Sequence, residues 1–109
     1  MTDYDPAAVT VDGVAPSVHS AASGDKLTSP GDGRWLRIIN GSGSSITCTI
    51  TPPGTTSYNV DNPDKVFTVA NGASRLVPVL RAYGDPADGG KVALAWSATS
   101  SVTFEYNRI

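Results

Sequence analysis

Cysteine and histidine occur once each in this chain of 109 residues, and each scarcity removes a class of chemistry. Cys48 has no partner for an internal disulfide, and one cysteine with one histidine is too few to complete a zinc shell. At an inward strand position between Thr47 and Thr49, Cys48 reads as a small core hydrophobe. A hydrolytic triad needs a nucleophile, a base and an orienting carboxylate brought together. His19, between Ser17 and Ser20 in a polar connection, reads instead as an exposed loop histidine.

Charge is sparse as well. Lys plus Arg number 8 against 10 Asp plus Glu, a formal net charge of -2, so no basic field exists to hold a phosphate backbone and no nucleic-acid partner is expected. No stretch approaches the ~20 apolar residues of a membrane span, and the amino end, Met1-Thr2-Asp3-Tyr4-Asp5-Pro6, has neither the positive nor the apolar region of a signal peptide. A soluble chain without a secretion signal and without membrane contact is the expectation. Helical stripes and internal repeats are missing, which argues against coiled coils and solenoids.

Oxygen ligands do not replace the missing histidines and cysteines. Asp61, Asn62 and Asp64 cluster, as do Asp85 and Asp88, but at no calcium-loop spacing, so they read as turn chemistry. Glu105 stands alone on an outward strand position, which leaves no carboxylate pair for glycoside hydrolysis. No glycine run leads from a strand into a helix, as a phosphate loop requires, and the Asn40-Gly41-Ser42 glycosylation pattern lacks a secretory context. Neither catalysis nor a metal or cofactor is expected.

What is present is a β pattern. Only 17% of residues are charged, and 11 glycines, 8 prolines and many Ser and Thr suit short strands joined by turns. Val92, Leu94 and Trp96 alternate with small residues, and after 97–101 the alternation resumes as Val102, Phe104 and Tyr106. This pair reads as a terminal hairpin whose apolar face needs a second sheet to cover it. Residues 46–51 alternate apolar with threonine, and Arg34-Trp35-Leu36-Arg37-Ile38-Ile39-Asn40 puts Leu36 and Ile38 on one face.

The remaining segments fill in the order. Asn40 to Ser45 reads as a hairpin loop, and Asn71-Gly72 as a tight turn between strands at 66–69 and 75–81, with Pro78 marking an edge or a bulge. Val9, Val11 and Val14 suggest a short first strand with a turn at Asp12-Gly13, and 17–24 an exposed connection. Residues 1–8 read as a frayed end or an arm that orders against a neighbour. The fold class expected is all-β, a single small antiparallel β-sandwich or barrel of about seven strands with an extended N-terminal arm. Residues 1–29 form the arm and first strand, and 30–109 the core.

Candidate contact residues fall in three places. The first is the arm, Thr2, Asp3, Tyr4, Asp5 and Pro6. The second is the strand face that holds Trp35 and Arg37, too apolar for a plain solvent face. The third is the long loop 52–64 with Tyr58, Asn59, Asp61 and Asp64, longer than a hairpin needs. Trp35, Tyr58 and Tyr83 offer an alternative, an aromatic platform for sugar.

Several of these pieces occur in a familiar order: Gly33-Arg34 opening a strand that ends in Asn40-Gly41, the threonine strand 46–51, Val69-Ala70-Asn71-Gly72, Val77-Pro78-Val79, Arg81-Ala82-Tyr83-Gly84-Asp85 and 91–109. In this the chain resembles the small β-sandwich virion proteins of tailed bacteriophages, especially those of actinobacteria, over residues 30–109. The resemblance implies a head decoration protein on the outer capsid surface, made in the host cytoplasm. It also implies binding to the major capsid protein, homo-oligomers (trimers among them) and no catalytic residues. The loop 52–64 departs from the pattern, which keeps a tail or neck position open, and a carbohydrate-binding module on a virion is the alternative from a different class.

Overall fold

Which side of each strand is dry follows from the alternation of large apolar residues. The computed structural model describes residues 2–109. In chain order the strands are β1 (Asp3–Tyr4), β2 (Ala7–Ala8), β3 (Val18–Ser20), β4 (Lys26–Leu27), β5 (Arg34–Asn40) and β6 (Ile46–Ile50). They continue as β7 (Lys65–Val69), β8 (Ser74–Pro78), β9 (Val92–Ala93), β10 (Ala95–Trp96) and β11 (Val102–Arg108), with single 3-10 turns at Arg81–Tyr83 and Pro86–Asp88. Leu36 and Ile38 of β5, Ile46, Cys48 and Ile50 of β6, Phe67 and Val69 of β7, and Val102, Phe104 and Tyr106 of β11 all face one shared core. Burying such a side chain is worth roughly 1.5–3 kcal/mol, which makes the two-layer arrangement favourable.

One layer is built on the antiparallel pair β5 and β11, in register from Val102 opposite Asn40 to Arg108 opposite Arg34. β8 pairs with the far side of β5, and β3 and β2 share the far side of β11. The other layer combines β10-β6-β7 with β1-β4-β9. Only Leu94 separates β9 from β10, so the run 92–96 serves β4 first and β6 next. The chain is therefore an all-β sandwich of mixed and antiparallel sheets. Among the described residues no helix is long and apolar enough to cross a membrane.

Three connections differ from the sequence expectation. The loop after Asn40, the turn at Asn71-Gly72 and the connection 97–101 each read as a hairpin, yet each carries the chain from one layer to the other. Turn chemistry dictates a reversal of direction but not the partner, and here both flanking strands need their apolar faces turned toward each other. Asn40, itself buried, holds this end together: its Nδ2 donates to the carbonyls of Ser44 (2.8 Å) and Val69 (2.9 Å), and its Oδ1 accepts from the Ser42 backbone N–H (3.0 Å). The hairpin within one layer is β6 to β7, closed by the long loop.

The amino end also departs from its reading. Residues 9–17 form no strand: the free side of β11 is taken by β2 at Asn107 and Arg108 and by β3 at 103–105, and Val9 adds only a single bond there, its N–H on the Arg108 carbonyl at 2.9 Å. The turn expected at Asp12-Gly13 is present, closed by the Gly13 N–H on the Thr10 carbonyl at 3.0 Å. The segment 17–24 contains β3 rather than an exposed connection, and His19 is half-buried within it, 4.4 Å from the Tyr4 ring and 5.4 Å from Phe104 between centroids. Residues 2–8 are neither frayed nor free. β1 lies parallel to β4 and β2 parallel to β11, so the arm straps one layer to the other.

Tyr4 should therefore behave as a core residue: Tyr4→Ala is expected to lower unfolding stability by about 1–3 kcal/mol, measured by denaturant titration. Stability should also fall at high pH. Burial pushes the Cys48 thiol from 9.0 up to about 12, with the Asp25 charge adding to it, and burial pushes the Tyr106 hydroxyl from 10.0 to about 12. The folded chain holds these protons after the unfolded chain has lost them, so the stability present below pH 9 is lost as pH rises toward 12, read as a falling melting temperature.

Candidate contact surface

The outer side of the β5 layer is where the alternation leaves residues that the core does not use. Register sets them in rows: Trp35 between Pro78 and Asn107, Arg37 between Leu76 and Glu105, and Ile39 between Ser74 and Thr103. Val18 lies beyond Glu105. Val18 is 51% and Leu76 67% exposed, with Trp35 and Ile39 half-buried, so the face is apolar around a single ion pair. Arg37 Nη1 donates to Glu105 Oε2 at 3.0 Å, and the Glu105 side chain is only 7% exposed. At the lower end of this face Trp35, Leu76, Pro78 and Ile109, with Arg34, line an open groove of about 480 Å³.

The long loop is an ordered protrusion. Thr55 and Asp61 pair across it, the Thr56 N–H donates to the Val60 carbonyl (2.7 Å), and the Asn59 N–H to the Thr56 carbonyl (2.9 Å). Asn59 takes the left-handed conformation, with φ of 64°, that this tight tip requires and that asparagine tolerates. Its base is tied by Asn62, whose Nδ2 donates to the Pro53 carbonyl at 2.8 Å. Tyr58 at the tip is 88% exposed, Val60 is exposed beside it, and Asp61 and Asp64 add two carboxylates with no cation in the loop.

The three sets of sequence-predicted residues do not come together. Trp35 and Arg37 lie on the outer sheet face, and Tyr58, Asn59, Asp61 and Asp64 on the protruding loop. Of the arm, Asp3 pairs with Lys91 at 2.8 Å, Asp5 accepts from the Thr28 hydroxyl, Tyr4 meets Phe104 edge to face at 5.0 Å, and Thr2 accepts from the Lys26 N–H through its carbonyl. Pro6 sits half-buried at the bend between β1 and β2. The arm is thus spent on the molecule's own fold. No aromatic platform forms either, because Tyr83 is buried in the core.

Sequence reasoning missed Leu76, Pro78 and Ile109 as surface partners of Trp35. Leu76 and Pro78 flank the inward Val77, and that parity was available as a signal. Val18 had none, because its strand exists only where β11 has an unused edge. Elsewhere the polar interior is nearly satisfied: the buried Asp25 accepts from the Ala22 N–H (2.8 Å) and from Trp96 Nε1 (3.2 Å) through one oxygen. Among the described residues no three of His, Cys, Asp and Glu converge as they would to hold a metal. Comparison of the chain with protein-family models, with curated proteins and with solved structures found no match.

Arg37→Ala is expected to cost about 1–3 kcal/mol, because it leaves the Glu105 carboxylate unpaired and nearly buried. Replacing both Arg37 and Glu105 by leucine should restore most of that loss, and a double-mutant cycle measured by chemical denaturation gives the coupling directly.

Proposed function

We propose that this chain is a structural virion protein that binds the outside of a phage head and stabilises contacts between major capsid subunits. The observation that carries the reading is the outer face of the β5 layer, where Val18, Leu76, Trp35 and Ile39 surround the Arg37–Glu105 pair on the most extensively paired strands of the molecule. A surface on a paired sheet orders little on docking and so keeps more of its contact energy. The likeness of residues 30–109 to decoration proteins supports the same reading.

Stabilisation then follows from linkage. A protein that binds the assembled shell and not the free subunits shifts assembly toward the shell, and many weak contacts acting together suffice. A tail or neck position uses the same face against a different virion partner. The carbohydrate-binding reading has less to stand on, since Tyr83 is buried.

The test is co-sedimentation with assembled shells of the candidate major capsid protein and, separately, with its unassembled subunits. Binding to shells alone is expected. Val18→Lys adds a charge to the apolar face while giving Glu105 a second cation across the strand pair, and should weaken shell binding at least about tenfold with the melting temperature kept. Absence of shell binding by the unaltered protein would refute the reading.

A further inference from the structure

The amino end consists of a docked arm and a slack tether. The arm, residues 2–8, adds β1 to β4 and β2 to β11. Its carbonyls at Thr2 and Tyr4 accept from the Lys26 and Thr28 N–H groups, each at 2.9 Å, while Asp3 pairs with Lys91 and Tyr4 packs on Phe104. The tether is the nine residues between β2 and β3. From Ala8 to Val18 every residue is exposed, and among the described residues only Val9 of the tether bonds to the body, at the Arg108 carbonyl.

The tether is longer than its connection requires. Ala8 lies opposite Arg108 and Val18 opposite Glu105, so its ends sit three residues apart along one edge of β11, about 10 Å at ~3.3 Å per residue. Nine extended residues reach about 30 Å, which exceeds the molecule's shortest dimension of 22 Å. The excess is taken up by the turn that the Gly13 N–H closes on the Thr10 carbonyl, in which Gly13 holds a φ of 76°. Elsewhere the tether favours extension. Pro16 biases Ala15 away from helical backbone, and Val9-Thr10-Val11 has the β-branched composition of a strand yet belongs to none. Val11 is fully exposed and Val14 about half so, which leaves a strand-forming apolar segment in water.

We infer that the chain pairs with a second copy of itself by exchanging arms: the tether of each copy extends and lays residues 2–8 into the same place on the other copy's β4 and β11. Every arm contact is kept, made to an identical body, so these contacts favour neither arrangement and the tether decides between them. Folded back, the tether leaves Val9, Val11 and Val14 in water. Extended, the two tethers pass each other at a two-fold axis, where their valines cover one another. Each copy gives one arm and receives one, so the exchange closes on a dimer. The occupant of the arm's site is a second copy because no other molecule carries this arm. The inference does not depend on what the outer sheet face binds.

Sedimentation equilibrium of the full chain, without shells present, tests it, and a monomer–dimer equilibrium is expected between micromolar and millimolar concentration. Gly13→Ala is the informative variant. A Cβ there meets no other part of the molecule, so its effect is confined to the positive φ of the turn, which alanine resists and an extended tether does not need. The substitution should lower the dissociation constant at least about fivefold, whereas a turn with a purely structural part leaves association unchanged. A second measurement traces the connection. Ala8 and Arg108 are exposed register partners, so Ala8→Cys combined with Arg108→Cys sets two thiols at disulfide distance, with the buried Cys48 left in place. Oxidised at dimer concentrations, this variant should run as a covalent dimer on a denaturing gel, and as a monomer when diluted before oxidation. A chain that stays monomeric to millimolar concentration would overturn the inference. So would a Gly13→Ala dissociation constant no lower than that of the unaltered protein, or disulfides that lie only within single chains. All three are read without shells, so none of them bears on shell binding.

Discussion

The antiparallel pairing of β5 with β11 is the constraint on which the other elements depend. These are the two longest strands, paired along their whole length, and each lends its outer edge to others: β8 to β5, β2 and β3 to β11. Their inward residues, Leu36, Ile38, Phe104 and Tyr106, form one wall of the core. Of their outward residues, Trp35 and Arg37 reach the surface, while Glu105 and Asn107 are nearly buried beneath their neighbours. A slip of one residue in this register would move Phe104 and Tyr106 out of the core and turn Glu105 and Asn107 into it, so both faces of the sheet are specified by the same pairing.

Much of this was legible in the chain. Period-two alternation located β5, β6, β7, β8 and β11 and told inward from outward residues, because that pattern is written in each strand by itself. Partner choice was not legible, since it depends on which apolar faces meet across the core. Turns such as Asn71-Gly72 look alike whether they close a hairpin or step between layers. The same limit explains β3 and the strap of residues 2–8. Those segments are extended only because β4 and the free edge of β11 offer hydrogen bonds to them, and nothing in Ala7-Ala8 or Val18-His19-Ser20 announces it.

The contact residues divide on the same principle. Trp35 and Arg37 stand out because two large apolar residues beside an arginine are anomalous on an outward strand face, and the long loop stands out because it exceeds what a connection needs. The pairing of the arm with β4 and β11 was not legible, because acidic, proline-containing sequence is as well suited to a strap as to a free tail. Asp3 meets Lys91, and Lys26 meets Asp88, so the charges that looked available to a partner are used within the molecule.

This use of the arm bears on how the protein can meet others. With one side of the sandwich bordered by the short strands β1, β2 and β3, the longest open strand edges are those of β7 and β8, where an added strand would ordinarily dock. That side is guarded. Pro78 cannot donate a ladder hydrogen bond, and Arg75 lies over the Phe67 ring at 5.6 Å while its Nη1 donates to the Thr68 carbonyl at 2.8 Å, occupying an acceptor that an incoming strand would need. Growth by strand addition is therefore disfavoured on the side where the molecule is most open. Association through side chains is left there, and the exposed apolar ones lie on the outer face of the β5 layer, at the tip of the long loop and in the segment 9–14, where Val11 is fully exposed.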